Sequence, residues 1–376
     1  MPQIIVVFSS AATAEYRVAG VPAAARAAQA LAVLERSGDI GGCAVVAGTG
    51  WSPSDDLVSE CRRLAPRLRL TFTPAGHDEQ VVRVRGERLV AEVARHADSP
   101  GRDAVLTALA AALARPQAPL AYPAAALREL RRAGRDILAS TGKAGDGIVS
   151  RYVNRPISRA ISGLLLKVPG LTPMHASIGT AVLAALMTIA LILGDGAGLI
   201  AGALLFQAAS IFDGVDGEIA RATARTSAEG ATLDSVIDAF TNLAFVAGVA
   251  VNVGLAGDLS GALAGAVALL VLASGLFLMS ARATAGGGPV NFDIVKQRLR
   301  RDGRAGPITE WLIHLTMRDF FAAASALMIL AGQAHVLLLI FAAAATGWFA
   351  VTVAVLRFAA RPDDERAQPE PEHSLA

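Results

Sequence analysis

The stretch from Asp213 to Asp238 reads DGVDGEIARATARTSAEGATLDSVID, and the rest of the chain is organised around it. It carries four aspartates between two strongly apolar segments, 197–212 and 239–255. These aspartates are Asp213, Asp216, Asp234 and Asp238. Their spacings, i,i+3 and i,i+4, place each pair on one face of a helix. Ionised groups at membrane depth are costly and usually mark a function. We therefore expect two antiparallel helix ends that present four carboxylates to one another.

The residue types around these acids indicate a phosphate site. Four negative charges at short range need compensation, and hard divalent cations with oxygen ligands supply it. Gly217 and Gly230 leave the backbone bare for a ligand or a neighbouring helix. Arg221 offers a planar cation that holds a phosphate bidentately. Together these residues predict a metal-assisted phosphate site.

The spacing D-x2-D-G-x2-A-R-x8-G-x3-D-x3-D resembles the signature of the CDP-alcohol phosphotransferase (CDP-alcohol phosphatidyltransferase) family. The matching positions are Asp213, Asp216, Gly217, Ala220, Arg221, Gly230, Asp234 and Asp238. The resemblance covers roughly the C-terminal two-thirds of the chain, because the hydrophobic layout also fits.

The resemblance implies transfer of a substituted phosphate from a CDP-linked donor to an acceptor hydroxyl, with release of CMP. It assigns two Mg²⁺ or Mn²⁺ ions to the four aspartates, and the role of general base to Asp238. It assigns contacts with CDP to Asp213, Gly217, Ala220, Arg221, Gly230 and Thr172. Arg282 and Arg318 are the candidates for the acceptor phosphate. Met174 stands where relatives often have a polar residue, which leaves fine donor specificity open.

The composition predicts a membrane protein with a soluble part. Of 376 residues, 53% are hydrophobic, and the mean hydropathy is +0.49. A net charge of +2 gives no reason to expect nucleic acid as a partner. Cys43 and Cys61 match no metal pattern, and a cytosolic location disfavours a disulfide.

Residues 1–140 predict a cytosolic α/β domain with a parallel sheet. Strands are expected at 4–8, 44–47 and 68–72, and helices at 22–36, 52–64, 103–115 and 124–138. The layout resembles the nucleotidyltransferase domain of inositol-phosphate cytidylyltransferase/di-inositol-phosphate-phosphate synthase relatives. The first strand is followed by SSAATAEYR, which lacks the glycine-rich loop that cradles a triphosphate. We therefore predict an inactive domain, kept as a scaffold or regulatory remnant.

Residues 145–168 predict an amphipathic helix on an anionic membrane surface, with Arg151, Arg155 and Arg159 away from its apolar face. The alternative is a solvated helix packed on the soluble domain. Residues 171–360 predict six transmembrane helices near 173–193, 197–222, 230–255, 259–282, 315–333 and 335–357. The basic loops lie on one side, which predicts cytosolic termini and a cytosolic active site in the inner membrane. Residues 361–376 predict a disordered tail.

The favoured function is a phospholipid-biosynthetic phosphotransferase with CDP-diacylglycerol as donor. Inositol phosphate, glycerol phosphate or a similar polyol would be the acceptor. The resemblance also implies a homodimer in contact with membrane lipids. An alternative is a di-inositol-phosphate synthase that uses CDP-inositol. Two alternatives of other classes are an ion-coupled transporter that uses the intramembrane aspartates and a membrane-anchored binding protein with a dead enzyme domain.

Overall fold

The computed structural model describes residues 3–48, 50–72, 81–98, 101–117, 123–142, 146–285 and 317–358. The chain divides into two compact units. The first unit comprises Met1–Asp146, Arg155–His175 and Gly214–Thr226. The second unit comprises Gly147–Asn154, Ala176–Asp213 and Ser227–Ala376. The predicted basic loop around 296–304 and the predicted tail at 361–376 lie outside the described residues.

The first unit contains a four-stranded parallel sheet. Its strands are β1 (Gln3–Phe8), β4 (Gly42–Ala47), β5 (Leu70–Thr71) and β6 (Val81–Arg85), in the order β5-β4-β1-β6. Val6 in the central strand β1 pairs with Val45 on one side and with Val84 on the other, and all three residues are buried in the core. The predicted α/β domain is confirmed. The strand β6 was not predicted, although apolar and basic residues alternate in its sequence VVRVR.

Helices cover this sheet, and a short hairpin precedes them. The helices are α1 (Ala11–Ala14), α2 (Ala23–Arg36), α3 (Asp55–Leu64), α4 (Gly86–Ala94), α5 (Arg102–Leu113) and α6 (Pro123–Ser140). The hairpin strands are β2 (Arg17–Val18) and β3 (Val21–Pro22). Small alanine side chains let α2 lie close to its neighbours, and Ser54 caps α3 by accepting from Leu57 N. The predicted helices α2, α3, α5 and α6 are present, whereas α1, α4 and the hairpin were not predicted.

The predicted interfacial helix forms as a π-helical turn, Ser150–Asn154, followed by α7 (Arg155–Leu165). Its apolar side chains point outward, with Ile157 44% and Leu164 62% exposed. One correction concerns Arg155, which is 7% exposed and buried with the serines of α7 rather than presented at a surface. The reason is a buried partner, Glu218, described below. The contact of this helix with a membrane surface stays a prediction.

Among the described residues, five helices are long and apolar enough to cross a membrane. They are α8 (Pro173–Leu193), α9 (Gly196–Ala222), α10 (Ala228–Leu255), α11 (Leu259–Ala285) and α13 (Ala334–Phe358). The described part of the fifth predicted span is α12 (Arg318–Leu330), with 13 residues. At 1.5 Å per residue it extends roughly 20 Å, less than the roughly 30 Å of a hydrocarbon core.

Aromatic rings and small residues build the core of the second unit. Phe206 stacks on Phe245 at 4.0 Å between ring centroids, and Phe341 meets Phe245 edge-on at 6.3 Å. A Cβ on Gly202 would lie 2.4 Å from the Leu191 side chain, so glycine is required there for close helix packing.

Candidate active site

One basic and two acidic side chains meet in the second unit. Arg318, the first residue of α12, places Nη1 2.9 Å from Oδ1 of Asp213 and in direct contact with Asp238. The Arg318 side chain is 11% exposed, whereas Asp213 and Asp238 are 24% and 33% exposed. These contacts are ion pairs rather than aligned hydrogen bonds. Within the part of the chain that the structure describes, no guanidinium nitrogen of Arg318 has a hydrogen-bond partner.

The other two aspartates lie on the same helices as this group. Asp216 follows Asp213 by one turn of α9, belongs to the first unit and is 7% exposed. Asp234 precedes Asp238 by one turn of α10 and is half-buried. Among the described residues, no three His, Cys, Asp or Glu side chains are close enough together to hold one metal ion. However, Asp213 and Asp238 share a cation in Arg318, and carboxylate oxygens are ligands that hard divalent ions prefer. The donor set therefore fits such an ion.

The predicted CDP-binding residues on α9 are arranged around Arg221. Its Nε donates to the carbonyl oxygen of Thr141 at 2.8 Å, and its Nη2 is buried without a partner among the described residues. A Cβ on Gly217 would lie 3.0 Å from Nη1 and 3.2 Å from Nη2 of Arg221. Gly217 thus makes room for the guanidinium of Arg221. Ala220, partly buried one residue earlier, accepts from Arg225 N at the end of α9.

Gly230 and Thr172 stand at helix starts. Gly230 N donates to Ser227 Oγ at 3.0 Å, which caps α10. Thr172 precedes α8, and its Oγ1 lies 2.7 Å from Nδ1 of His175. Gly230 therefore takes part in the cap of α10, while Thr172 contacts the His175 ring at the start of α8. Of the two predicted acceptor residues, Arg318 is described above, while the side chain of Arg282 lies outside the described residues.

A buried ionic cluster surrounds Glu218, a residue that was not among the predicted site residues. Both of its carboxylate oxygens are bound: Oε1 by Ser158 Oγ at 2.6 Å and Arg155 Nη1 at 3.1 Å, and Oε2 by Ser162 Oγ at 2.7 Å. Arg155 also binds Asp146 through Nε and Nη2 at 2.7 and 2.8 Å. Burial by itself would lower the pKa of Arg155, but the hydrogen bonds and charges of Asp146 and Glu218 raise it instead. The sequence did carry one signal for this cluster, namely an acidic residue at a non-motif position among apolar residues.

Gly214, which lies between the first two aspartates of the motif, makes room for this cluster. A Cβ on Gly214 would lie 3.0 Å from Nη1 of Arg155 and 3.3 Å from Oγ of Ser158. The tight fit of α7 against α9 therefore depends on the missing side chain at Gly214.

Backbone and amide contacts hold the surroundings of Arg318 in the second unit. Asp319, its neighbour in α12, accepts from Ser150 N in the π-helical turn at 2.6 Å. At the other end of that turn, Asn154 accepts from Gln207 Nε2 at 2.9 Å and donates to Ser210 Oγ at 3.3 Å. π-Helical turns are frequent at functional sites. No sequence signal identified these contacts.

A cavity of about 250 Å³ opens beside Asp238 and Arg318 in the second unit. Asn242 adds an amide to this polar end. The remaining walls are aromatic and aliphatic, and they include Phe206, Phe245, Leu272, Leu276, Met279, Phe321, Phe341, Ala345 and Trp348. The cavity is thus polar at the aspartate and apolar elsewhere.

Apolar helices of spanning length among the described residues indicate a helical membrane protein, and charged groups within such helices usually mark a function. The model of the CDP-alcohol phosphatidyltransferase family matches residues 172–356. The chain therefore contains a CDP-alcohol phosphatidyltransferase domain at these residues. Members of this family generally use divalent metal ions.

Three relatives carry the same name, Bifunctional IPC transferase and DIPP synthase. The protein from Thermococcus kodakarensis is 37% identical over 120 residues, which are 32% of this chain and 26% of the relative. The protein from Aquifex aeolicus is 41% identical over 108 residues, 29% of this chain and 24% of the relative. The protein from Archaeoglobus fulgidus is 36% identical over 123 residues, 32% of this chain and 24% of the relative. The chain thus matches about a quarter of the length of these relatives.

Proposed function

We propose that this protein transfers a substituted phosphate from CDP-diacylglycerol to the hydroxyl group of a polyol phosphate. CMP is released, and the product is a phospholipid precursor. The observation that carries the choice of donor is the cavity beside Asp238, which is apolar apart from Asp238, Asn242 and Arg318. An amphiphilic substrate matches such a cavity, because its chain is removed from water while its polar end stays at the charged residues.

Asp238 acts as the general base in this proposal. It lies at the polar end of the cavity and is 33% exposed, so an acceptor hydroxyl can reach it. The carboxylate takes the proton from the hydroxyl, and the oxygen attacks the β-phosphorus of the donor. The bond between this phosphorus and the bridging oxygen breaks, and CMP leaves with the electron pair.

Arg318 holds the phosphate of the acceptor. Its guanidinium already lies against Asp213 and Asp238, so a phosphate bound there has its hydroxyl close to the base. Its nitrogens make no aligned hydrogen bond within the described residues, and a phosphate would satisfy them. Arg282 is the second candidate for this role.

Asp213, Asp216, Asp234 and Asp238 hold two divalent ions, Mg²⁺ or Mn²⁺, in this proposal. When bound, such ions stabilise the charge that develops on the pyrophosphate of the donor. Gly217, Ala220, Arg221, Gly230 and Thr172 contact the CDP moiety. Nη2 of Arg221 is buried and has no hydrogen-bond partner among the described residues, which supports its part in this contact.

A second candidate is the activity in the relatives' names. A DIPP synthase would use CDP-inositol as donor and inositol phosphate as acceptor. The identity of 36–41% to such relatives favours it. The apolar walls of the cavity have no part to play with two water-soluble substrates, and for that reason we place it second.

The test is a donor panel with the purified full-length chain in lipid nanodiscs. CMP release would be measured with Mg²⁺, with CDP-diacylglycerol or CDP-inositol, and with inositol phosphate or glycerol phosphate. We expect CMP and a phosphorylated lipid from CDP-diacylglycerol only, and no CMP after chelation of the metal. CMP from CDP-inositol alone would establish the second candidate instead.

A pair of variants tests the cavity itself. Ala345 lines it, whereas Ala343, two residues earlier in α13, is exposed and does not line it. We expect Ala345→Phe to lower kcat/KM for the lipid donor about tenfold, which corresponds to about 1.4 kcal/mol. Ala343→Phe should leave it unchanged. Equal effects of the two variants would remove the support that the cavity gives to a lipid donor.

We also propose six membrane spans, an interfacial helix at 145–168, and cytosolic termini and active site in the inner membrane. The absence of Lys and Arg from the loops GDGAG, AGDLSG and AGQAH supports this orientation. Reporter fusions at the C-terminus and in the loop at Asp258 should report opposite sides.

A homodimer is the assembly we expect, and cross-linking in native membranes checks it.

A further inference from the structure

The end of β1 in the α/β domain is occupied by the protein's own carboxylate. Ser9 N, directly after the strand, donates to Oε1 of Glu87 at 2.7 Å, and Glu87 is fully buried. The nearby cation Arg85 is buried too and lies 3.5 Å from Glu87 and 2.6 Å from Glu129. A nucleotide triphosphate needs free N–H groups and a free cation at such a place. This contact supports the expectation that the domain does not act on nucleotides.

The α/β domain instead forms hydrogen bonds with the C-terminal end of α9. The last carbonyl groups of a helix lack partners within the helix. Here Arg26 Nη2 donates to Ala222 O at 2.6 Å. Arg63 donates through Nη2 to Thr223 O at 2.8 Å and through Nη1 to Ala224 O at 3.0 Å. Two arginines of α2 and α3 thus cap three successive carbonyls.

Both arginines are held in place by other groups of the domain. Arg26 also donates to Val18 O at 2.7 Å and to Ala19 O at 3.0 Å in the β2–β3 hairpin. Glu60 binds Arg63 at 2.7 Å and Arg225, just after α9, at 2.6 Å. Burial would raise the pKa of Glu60, but the hydrogen bonds and charges of Arg63 and Arg225 lower it on balance. We call Arg26, Glu60 and Arg63 the clasp.

The chain needs this clasp because α9 ends in a strained turn. Ala224 has φ +51°, a left-handed conformation that usually falls to glycine. The hairpin tip also touches the end of α9, since a Cβ on Gly20 would lie 3.1 Å from Cγ2 of Thr223. The clasp therefore fixes a turn that would not hold its shape by itself.

Arg221 lies one residue before the carbonyls that the clasp holds. Its Nε is bound in turn by Thr141 O, just past the end of α6. We propose that the α/β domain is a positioning domain: its clasp and Thr141 O hold the end of α9 so that Arg221 and Gly217 receive the CDP moiety. This inference rests on the proposed function for the role of Arg221.

The test compares two Arg→Gln variants of the full-length protein. Arg63 is 30% exposed and belongs to the clasp. Arg102 is the control, because it binds Asp39 at 2.7 Å within the same domain and is 50% exposed. Hydrogen exchange of the peptide 214–226 and the affinity for CMP in the presence of Mg²⁺ would be measured for both.

We expect Arg63→Gln to speed exchange in 214–226 and to weaken CMP binding roughly tenfold, the scale of one charge-assisted hydrogen bond. The KM for the acceptor should stay the same, and Arg102→Gln should match the wild type in every measurement. Arg63→Lys, which keeps the charge, should recover part of the CMP affinity. Glu60→Gln, which leaves Arg63 in place without its anchor, should weaken CMP binding in the same direction.

Two outcomes would overturn the inference. One is unchanged exchange in 214–226 for Arg63→Gln. The other is a lowered unfolding temperature with wild-type CMP affinity, which is the result of a merely stabilising contact. If the wild type itself neither binds CMP nor releases it from any donor, the proposed function fails. The exchange data would still decide whether the clasp holds the end of α9.

Discussion

The two units contain charged clusters built from the same groups, carboxylates and arginines, with different degrees of satisfaction. In the first unit, Glu218 is fully buried and each of its oxygens accepts at least one hydrogen bond, from Arg155 and two serines. In the second unit, Arg318 touches Asp213 and Asp238 but makes no aligned hydrogen bond among the described residues. A buried polar cluster with all partners present fixes a structure, while one with spare donors is open to a ligand. We therefore expect substitutions in the two clusters to act on different quantities.

The largest effect should come from Asp238→Asn, which keeps the shape of the side chain and removes the base. We expect kcat to fall roughly a thousandfold, within the range for general-base catalysis, at an unchanged unfolding temperature. CMP release in nanodiscs measures it. The control is Asp258→Asn in the same unit. Asp258 lies in the loop before α11, where its carboxylate accepts from Gly261 N and contacts His335. Wild-type turnover by Asp238→Asn would remove the base from the proposal.

The next largest effect is expected for Glu218→Gln, which should lower the free energy of unfolding and leave turnover nearly unchanged. Loss of one partner from a buried ion pair leaves Arg155 with less compensation, and we expect a loss of about 3 kcal/mol in the free energy of unfolding. The fraction that stays folded should keep a kcat close to that of the wild type. Denaturant titration in detergent measures the loss, and Glu229→Gln, at an exposed position of α10, should cost less than about 0.5 kcal/mol. If Glu218→Gln abolished turnover without loss of stability, the contrast between the clusters would be wrong.

A smaller effect is expected for Gly217→Ala. The new methyl group would push the Arg221 guanidinium, which Thr141 O holds at Nε. We expect the KM for the donor to rise about fivefold, the scale of about 1 kcal/mol. Stability should not fall, since alanine favours a helix over glycine by up to about 1 kcal/mol. Gly347→Ala, which meets no atom within 4 Å, is the matched control and should leave KM unchanged.

Near neutral pH, the smallest effect is expected for the two cysteines of the first unit. Burial raises the pKa of Cys43 and of Cys61 to about 12, and both thiols are free. Because an unfolded thiol ionises near pH 9, these thiols should stabilise the fold below pH 9. That contribution is lost as the pH rises from 9 towards 12, by at most about 1.4 kcal/mol per pH unit for each thiol. Iodoacetamide at pH 8 should modify neither cysteine until denaturant is added, and mass spectrometry checks this. Rapid labelling of the native protein would contradict the buried environment.

Local patterns were sufficient for the elements and for most of the motif. Period-2 and apolar runs located β1, β4 and the spanning helices, because each of these signals is contained in a few neighbouring residues. The helix α4 escaped prediction although its nine residues are amphipathic, because it follows β6 directly and no capping side chain marks its start. The described part of the fifth predicted span, α12, shows how hydropathy locates a helix without giving its length.

The roles of side chains within the motif were harder to foresee. The spacing of Gly217 suggested an open backbone, but the structure fills that space with the Arg221 guanidinium. Arg155 was predicted on the polar side of an interfacial helix, but it is buried with Glu218, which lies 63 residues away along the chain. Such contacts join residues that no local window includes.

The sequence by itself determined the membrane character, the α/β domain and the acidic signature, since composition, periodicity and fixed spacing lie in the order of the residues. Only the tertiary structure decided that Arg318 contacts Asp213 and Asp238, that Glu218 forms an ion pair with Arg155, and that Arg26 and Arg63 cap α9. The physical reason is that electrostatic and hydrogen-bond partners are selected by distance in space. A carbonyl at the end of a helix accepts from whichever donor the fold brings within about 3 Å.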